Sequence, residues 1–576
     1  MKKAIRVIWI IVIMMLAALL CSCGGEKTDP AGVLSVEVRT DAGPETIGLW
    51  MADEDHAFVF LPSYAERETA FFRLDTDKKI TLDGTELSDG MDCGGFLPGQ
   101  EYELKIGGGK PQKITFMNSS NIAAMYISIE ESALEAVHAD KKHKENAVIT
   151  LYNADGSIDY RGGESDRIRG RGQWSWEQDK KPYNLYLDKP ADLLGLGEAK
   201  RWTLLANAID ETNLRNWLVY SFADRVGQYE GFSQDCEFVD LYLNGQYNGL
   251  YLLCEKVEIA ENRLNTGEDD FVFSLDAADR IDTMESAFVL NPGVAVEIDN
   301  PDPCTQAQQA ELHKHLLEMQ SVLLQDGDAW REYIDMDSWA RKYLIEEIFL
   351  NFDAGAQSQY FFLSREDGLV YAGPCWDYDN ILGVNGYGMT PECFLAQRTW
   401  KTREQYTPWY GALWAKEDYS DYVKELYRRE FLPVLREYQD GMIAGTADRI
   451  KDAAQADRQR WPDLSKNLDS YEDAVAFLQD FLARRIDFLN SAWISGDPYC
   501  TITLKTLGGQ YRFFCVRPGT VCENLPTPED FMVEGETQWY YEDTKEPFDY
   551  DTVITEDIDL ISGPVLAYWD LPFGEK

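Results

Sequence analysis

Three carboxylates lie close together in the sequence with a spacing that suits a divalent cation. Asp353 follows an amphipathic stretch that ends at Phe349, and Asp377 and Asp379 stand one residue apart after two short apolar runs. Hard cations such as Mg²⁺ take oxygen ligands, and one or two carboxylates suffice where phosphate groups supply the remaining oxygens. The spacing therefore predicts a site for a divalent cation and phosphate groups that needs no histidine.

The pattern around these carboxylates also predicts the elements that position them. Apolar residues recur at helical spacing up to Phe349 and predict a helix that ends just before Asp353. The apolar runs 360–363 and 369–371, joined by a polar turn, predict a hairpin that leads to Asp377. Protein kinases use helix, carboxylate, hairpin and second carboxylate to place a base-like Asp and a magnesium-binding Asp around ATP.

Each carboxylate also has another interpretation. Asp353 is placed to cap the turn after the helix, and Asp377 with Asp379 suits an Asx turn or a structural calcium loop. Paired carboxylates also hydrolyse glycosidic bonds, but Asp377 and Asp379 are too close in sequence to flank a sugar easily. The spacing alone leaves these alternatives open.

The composition limits the class of protein. A chain of 576 residues exceeds what one hydrophobic core organises, so we expect two to four domains. The formal net charge of −46 argues against a nucleic-acid partner and favours solubility or, less simply, a cationic wall or protein partner. Eleven cysteines without a CxxC pair and five histidines give little support to a zinc enzyme.

The N-terminus has the features of a targeting segment. Lys2, Lys3 and Arg6 precede an apolar stretch, 7–20, that is too short for an ordinary membrane-spanning helix. The segment that follows resembles a bacterial lipoprotein lipobox, in which Cys23 is the lipidated first residue; a plain secretory signal is the alternative. We expect a signal peptide over 1–22 and an extracytoplasmic protein that is lipid-anchored to the bacterial membrane at the cell surface.

The rest of the chain divides by pattern into four parts. Residues 23–32 are polar and predict a tether. Residues 33–117 alternate short β-like runs with turns, which predicts a β-sandwich-like domain. Residues 122–495 mix strands and helices and form the main body. Within it, Asn244-Gly245 between two apolar runs predicts a tight hairpin turn, and Ser470 with Asp473 predicts the capped start of the last helix. Residues 499–563 are β-like again and resemble the internalin-type repeat of bacterial surface proteins, a small β-grasp-like module.

Several ordered segments together carry a family resemblance. They are Arg169–Trp176, Lys180–Leu187, Arg201–Asn216, Leu243–Lys256, Asn351–Asp353 and Trp376–Asp379. Over roughly 122–400, with helices to about 493, the chain resembles the CotH kinase family, named for spore-coat protein H. The resemblance implies an α+β fold with a two-lobed atypical protein-kinase-like domain flanked by small all-β domains. It also implies transfer of phosphate from ATP, with Mg²⁺ or Mn²⁺, to Ser or Thr of surface or coat proteins.

The resemblance gives the carboxylates kinase roles. Asp353 would accept or orient the proton of the acceptor hydroxyl. Asp377 would bind the metal, with Asp379 as a second ligand or as a residue that orients the first. Gln359 stands near where the kinase catalytic loop has the Asn that binds a second metal.

The resemblance also assigns residues to the nucleotide. Arg169 would pair with phosphates, and its flanking glycines would let the backbone approach them. Lys181 would reach the α- and β-phosphates from a strand, although Lys180 is the inward residue if the strand register shifts by one. Glu255 would orient that lysine, unless it forms only an exposed charge pair with Lys256.

The chain departs from the family pattern at two places. Gln173 and Trp174 stand where the family often has Asn and Ser, and Gln357-Ser358-Gln359 stands where it often has an Asn before the aromatic run. Gln359 is one methylene longer than that Asn. The longer side chain would place its oxygen differently, which leaves a catalytically inactive CotH-like scaffold of the cell surface as the alternative function.

Overall fold

The computed structural model describes residues 29–562 apart from 66–68, 385–389, 399–405, 465–466, 507–510, 524 and 532–537. The predicted signal peptide, Cys23, most of the tether and Gly508-Gly509 of the predicted repeat therefore lie outside the described residues. The described chain mixes helices and strands in several sheets, which agrees with the α+β class. Its Cα atoms form two compact units, each assembled from several stretches of sequence.

The first unit combines the residues up to 208 with 237–253 and 448–465. Its first strands are β1 (Leu34–Thr40), β2 (Gly43–Gly48), β3 (Trp50–Met51), β4 (His56–Leu61), β5 (Ala70–Leu74), β6 (Ile80–Leu82), β7 (Thr85–Glu86), β8 (Glu101–Ile106) and β9 (Gln112–Asn118). They form two sheets, ordered β2-β1-β5 and β3-β4-β9-β8-β6-β7. In β8 buried and exposed residues alternate strictly, because successive side chains of a strand point to opposite faces.

A nine-stranded sheet belongs mainly to this unit, which also contains the helices α1 (Glu131–Ala139) and α2 (Trp174–Glu177). Its strands are β10 (Ala123–Ser128), β11 (Lys144–Asn146), β12 (Val148–Tyr152), β13 (Ile158–Arg161), β14 (Arg167–Gly170), β15 (Tyr183–Asp192), β16 (Glu198–Leu205), β17 (Cys236–Leu243) and β18 (Gln246–Glu255). The order is β11-β14-β15-β16-β18-β17-β10-β12-β13. One face carries a core that includes Ile168, Leu185 and Trp202.

The tight turn predicted between β17 and β18 is confirmed. Asn244 and Gly245 have φ of 50° and 74°, the left-handed pair that a two-residue hairpin requires. The Asn244 side chain then accepts a hydrogen bond from the backbone N–H of Ile129 at 2.8 Å, which fixes the turn against the end of β10.

The N-terminal strands share a core with the nine-stranded sheet. The ring of Phe60 stacks on that of Tyr247 at a centroid distance of 4.6 Å, and the hydroxyl of Tyr64 bonds to that of Tyr126 at 3.1 Å. Residues 33–117 therefore pack as part of a larger unit, while the domain boundaries drawn from the sequence stay predictions.

The second unit combines 209–236, 254–447 and the residues from 466 onward. Its helices are α3 (Arg215–Val226), α4 (Gln306–Leu323), α5 (Met336–Ile348), α6 (Trp409–Trp414), α7 (Glu417–Leu426), α8 (Leu432–Glu437), α9 (Ile443–Arg460, of which the part from 448 belongs to the first unit) and α10 (Tyr471–Leu489). Its central sheet contains β19 (Phe271–Ala277), β20 (Ala287–Asn291), β21 (Val294–Asn300), β22 (Gln359–Leu363) and β23 (Val370–Ala372), ordered β20-β21-β19-β22-β23.

Helix α5 and the hairpin β22–β23 form as the sequence predicted. Asp335 caps the helix by accepting the N–H of Ser338 at 2.8 Å. Trp339 is fully buried, and its indole N–H donates to the carbonyl of Val370 at 2.8 Å. This hydrogen bond joins the helix to the hairpin. It therefore fixes the position of the helix end, from which the loop with Asp353 begins.

Helix α10 also matches the predicted pattern. Ser470 accepts the N–H of Asp473 at 3.0 Å and caps the helix start. Farther along, the fully buried Arg485 pairs with Glu347 of α5 at 2.8 Å. This buried ion pair holds the end of α5 from the other side.

The C-terminal region is a small β structure. Its strands are β24 (Cys500–Lys505), β25 (Tyr511–Val516), β26 (Thr520–Val521), β27 (Trp539–Tyr541), β28 (Val553–Ile554) and β29 (Ile558–Ser562). Four form a sheet ordered β25-β24-β29-β27, in which the central pair, β24 and β29, is parallel. Within the described residues, the cysteines from Cys93 to Cys522 form no disulfide bond. Among the described helices, none has the length and apolar character needed to cross a bilayer.

Candidate active site

The loop after α5 places Asp353 where the helix ends. Leu350 has a φ of 50°, which turns the chain out of the helix. The side chain of Asn351 accepts the N–H of Asp353 at 3.0 Å, and the carbonyl of Asp353 accepts the N–H of Ala356 at 2.9 Å. These short-range bonds build a compact turn that presents the Asp353 carboxylate on one side.

Two neighbouring side chains bring Asp353 and Asp377 together. The amide of Gln357 donates to the Asp353 carboxylate at 2.7 Å, and the hydroxyl of Ser358 donates to the Asp377 carboxylate at 2.8 Å. Because Gln357 and Ser358 are adjacent, the two carboxylates occupy the same small region. We call Asp353, Asp377, Gln357 and Ser358 the acidic site.

The electrostatics of Asp353 reflect this closeness. Burial is the largest cause that raises its pKa, to about 7, and the hydrogen bond from Gln357 opposes that rise. The negative charges of Asp377 and Glu346 raise the pKa further, while Arg280 lowers it slightly. The site therefore concentrates negative charge in a protein environment, which a bound cation would relieve.

Helix α3 fixes the second carboxylate loop. Asp377 has a φ of 65°, a left-handed conformation that costs about 1–3 kcal/mol for a residue other than glycine. Its N–H donates to the hydroxyl of Tyr220 at 3.2 Å, and the N–H of Tyr378 donates to the side chain of Asn216 at 2.7 Å. These two bonds from one helix hold the strained residue and direct its carboxylate toward Ser358.

A fully buried polar network lies behind the acidic site. The ammonium of Lys342 contacts the carboxylate of Glu346 and the hydroxyl of Tyr378, both at 2.6 Å, and Tyr378 donates to Glu346 at 2.7 Å. Lys342 and Glu346 are wholly inaccessible to solvent. The network ties α5 to the loop of Asp377, so the two carboxylate loops share one support.

The other predicted metal ligands have different surroundings. The amide of Gln359 donates toward Glu346 and accepts from the hydroxyl of Tyr410, both at 3.4 Å, within the buried core. Asp379 is partly exposed on the loop of Asp377. Asp377 is therefore the predicted ligand that the structure brings to Asp353, whereas both polar groups of Gln359 have protein partners.

The lysines predicted for the nucleotide lie in the first unit. Lys181 donates to the carbonyls of Trp176 and Gln178 at 2.9 and 3.0 Å and so closes the turn after α2. Lys180 is 1% exposed; it donates to the carbonyl of Leu250 and pairs with Asp457, both at 2.7 Å. Of the two registers that the sequence left open, Lys180 is thus the inward one.

Arg169 and Glu255 complete the predicted set. Arg169 lies in β14 over the ring of Tyr186, 5.7 Å from its centroid. Glu255 is buried, forms an ion pair with Arg263 at 3.4 Å and accepts the N–H of Asp235 at 3.0 Å. Burial raises the pKa of Glu255 to about 7. Its described partners are therefore Arg263 and Asp235.

The carboxylates of the acidic site suit a divalent ion that takes its remaining ligands from elsewhere. Within the described residues, no group of three or more His, Cys, Asp or Glu side chains is arranged to hold a metal. Mg²⁺ commonly binds through one or two carboxylates and takes its other ligands from substrate phosphates and water. Two close carboxylates with uncompensated charge fit that mode, in which Asp377, helped by Asp379, would hold the ion.

Sequence reasoning missed the residues that make the site rigid. Gln357 and Ser358 were noted only as a departure from a family pattern, and Lys342, Glu346 and Arg485 were not singled out. One signal was present, because Lys342 and Glu346 are spaced i, i+4 on a helix whose other residues are largely apolar. A charged pair inside such a helix indicates a buried ion pair.

The ordered segments and the paired carboxylates lie within a region that matches a known family. The family model described as CotH kinase protein matches residues 168–489, more than half of the chain. The chain is therefore kinase-like. It belongs to the CotH kinase family. A search of curated proteins finds no match.

Proposed function

We propose that the chain transfers the γ-phosphoryl group of ATP to a Ser or Thr hydroxyl of a protein. The observation that carries this proposal is the convergence of Asp353 and Asp377 through adjacent donors, Gln357 and Ser358. Phosphoryl transfer needs mainly positioning and charge stabilisation, and a pair of fixed carboxylates at the ends of two loops supports both.

Each carboxylate has a separate task in this proposal. Asp353, with a pKa raised to about 7, is suited to accept or orient the proton of the acceptor hydroxyl, since its basicity lies near neutrality. Asp377, with Asp379, would hold Mg²⁺ or Mn²⁺. When bound, the ion would neutralise charge on the phosphates. Hydrogen bonds to Ser358 and Tyr220 restrain the Asp377 loop, which supports this role.

Phosphate contacts by Arg169 and Lys181, and orientation of the lysine by Glu255, stay predictions from the family resemblance. Lys180 is buried and paired with Asp457, so it stabilises the fold. Lys181 is partly exposed and is the lysine we assign to the phosphates. Lys181 would have to exchange its two carbonyl partners for phosphate oxygens.

We also propose that the protein acts outside the cytoplasm, anchored by lipid at Cys23. The positive N-terminus, the short apolar stretch and the lipobox-like segment support this location. The acceptor would then be a surface or coat protein.

The test is transfer of label from γ-labelled ATP by the purified full-length chain in detergent, with Mg²⁺ or Mn²⁺ and with acidic and basic protein substrates. Wild type is compared with Asp353→Asn and Asp377→Asn. Asp326→Asn, at an exposed position of the second unit, is the matched control and retains wild-type transfer. We expect both site variants to lose at least about a hundred-fold in rate. Transfer retained by both site variants removes the assigned roles, and no transfer by wild type leaves the inactive scaffold.

A further inference from the structure

A concentration of positive charge on the nine-stranded sheet stands out in a chain of net charge −46. Lys144 of β11 pairs in register with Arg169 of β14, and Arg167 of β14 and Arg201 of β16 both pair with Tyr186 of β15. Residues directly opposite each other on neighbouring strands project from the same side of a sheet. These four cations and Tyr186 therefore share one side, which we call the cationic face.

The strand alternation of the sheet fixes the side from which these cations project. The residues between them, Ile168, Leu185 and Trp202, are fully buried in the core on the opposite side. Because the side-chain period of a strand is two, burial of this set fixes Arg167, Arg169 and Arg201 on the other side. The crowding of like charges is thus a consequence of the register.

Three cations of this face, Lys144, Arg167 and Arg169, lie close together. Within the described residues, no carboxylate lies at ion-pair distance from Lys144, Arg167 or Arg169, and the Nε of Arg169 is buried without a hydrogen-bond partner. The ammonium of Lys144 lies over the ring of Tyr186, 3.6 Å from its centroid. Burial, and then the charges of the three arginines, lower the pKa of Lys144. The crowding of positive charge around Lys144 is unfavourable, and a bound anion would relieve it.

The spacing indicates what kind of anion fits. Arg167 and Arg169 are two residues apart on one strand, so their Cα atoms are separated by about 6.5 Å, and Arg201 lies two strands from Arg167, about 10 Å away. Guanidinium groups bind phosphate oxygens in a forked geometry. A single phosphate is too small to bridge groups spread over this distance, whereas a chain of linked phosphates can follow them.

We propose that the cationic face binds an oligophosphate chain. Inorganic tripolyphosphate and the triphosphate tail of a nucleotide share this chemistry. This inference shares one residue with the proposed function, since Arg169 is also a predicted nucleotide contact. It requires neither a divalent ion nor phosphoryl transfer.

The experiment is calorimetric titration of the full-length chain in detergent with tripolyphosphate, in EDTA and at low salt. Wild type binds, and the affinity falls as NaCl is added, because the face is exposed to solvent. Arg167→Gln and Lys144→Gln each weaken binding by about ten-fold or more. Wild type without measurable binding, or variants that bind like wild type, overturns the proposal.

A matched control is available on another strand of the same unit. Arg39 of β1 is exposed and lies over the ring of Phe71, 3.9 Å from its centroid, but it is paired with Glu37 at 3.3 Å. Arg39→Gln leaves tripolyphosphate binding unchanged. Equal loss in this variant shows a general charge effect and removes the cationic face as a defined site.

Further arms separate the sources of the phosphate chain and the two proposals. If a nucleotide is the natural occupant, ATP binds more tightly than tripolyphosphate; if a polyphosphate is, ATP and tripolyphosphate bind alike, and in either case AMP binds weakly. AMP binding as tightly as tripolyphosphate contradicts an oligophosphate site. Asp377→Asn retains tripolyphosphate binding even where label transfer is lost, so failure of the kinase proposal and failure of this one give different results.

A fold defect is recognised by thermal unfolding. Arg167→Gln keeps or raises the melting temperature, because it removes repulsion among like charges. If the melting temperature falls and binding is lost together, Lys144→Gln decides the outcome: a stable Lys144→Gln variant with wild-type binding overturns the proposal.

Discussion

The acidic site and the cationic face both concentrate charge of one sign, but they do so by different means. At the acidic site, each carboxylate accepts a hydrogen bond from a neutral side chain, and a buried ion pair, Lys342 with Glu346, supports the loops. At the cationic face, Arg167 is exposed and the nearest support is the sheet register. The first arrangement fixes two oxygens for one small ion, whereas the second leaves long side chains free to adapt to an extended anion.

If this difference is real, removing the buried cation Arg485 at the end of α5, the helix before Asp353, is far more costly than removing a cation from the cationic face. Arg485→Gln leaves Glu347 buried without its ion-pair partner, although the N–H groups of Leu395 and Ala396 still bond to it. We expect a loss of about 3–5 kcal/mol in the free energy of unfolding. Urea denaturation measures it.

The neighbouring arginine supplies the control for that measurement. Arg484 lies on the same helix, is about half exposed and pairs with Glu392 at 2.9 Å. Because exposed ion pairs contribute about 0–1 kcal/mol, Arg484→Gln has a small effect. Comparable losses for Arg484→Gln and Arg485→Gln would contradict the role given to the buried pair.

The buried network behind the carboxylates is the next test in size. Lys342→Met leaves the Glu346 charge unpaired and removes the contact to Tyr378, so we expect a loss of about 3 kcal/mol in stability and of most label transfer. The double variant Lys342→Met with Glu346→Gln removes both charges and recovers at least half of the lost stability. A double variant as unstable as the single one shows that packing, and not the unpaired charge, causes the loss.

A buried acid outside the acidic site tests whether burial alone raises a carboxyl pKa. Burial raises the pKa of Asp240 to about 7, and hydrogen bonds from Ser119 and Tyr247 oppose this rise. The negative charge of Asp457 raises the pKa a little further, and the positive charge of Lys180 lowers it. The folded form therefore holds a proton that the unfolded chain has lost above about pH 4. This contribution to stability is present at low pH and is lost as the pH rises through about 7.

Asp240→Asn should accordingly flatten the fall in stability between about pH 4 and 7, by about 1 kcal/mol or more. Urea denaturation at four pH values measures the slope. Asp452→Asn, at an exposed position of the same unit, keeps the wild-type slope. An unchanged slope for Asp240→Asn would mean that the carboxyl is ionised in the folded protein across this range.

The sequence predicted the parts of the site that local signals encode. The helix before Asp353, the hairpin before Asp377 and the cap at Ser470 depend on residues a few positions apart, and each is confirmed. The Asn244-Gly245 turn is confirmed for the same reason, since glycine and asparagine tolerate positive φ.

The partners that decide the site's chemistry are distant in sequence and left no local signal. Lys180 pairs with Asp457, and Glu347 pairs with Arg485. The register at Lys180 and Lys181 was ambiguous because both precede the first residue of β15, Tyr183, where strand alternation begins. The amide of Gln359 turns into the core because Glu346 and Tyr410 lie there, which spacing along the chain does not reveal.

The smallest effect we expect is at Ser358, and it separates support from chemistry most cleanly. Ser358→Ala removes one hydrogen bond to the Asp377 carboxylate and little else. A hydrogen bond to a charged group contributes about 1.5–3 kcal/mol, but Ser358 and Asp377 are partly exposed, so water can replace the lost donor and stability should change by less than about 1 kcal/mol. If the bond fixes the carboxylate for metal binding, label transfer falls about ten-fold at limiting Mg²⁺ and recovers partly as Mg²⁺ is raised. Ser364→Ala, a serine on the same hairpin away from both carboxylates, keeps wild-type transfer at every Mg²⁺ concentration. A Ser358→Ala variant with the wild-type Mg²⁺ dependence would show that Asp377 needs no such restraint. The acidic site would then not be the rigid site that the comparison with the cationic face requires.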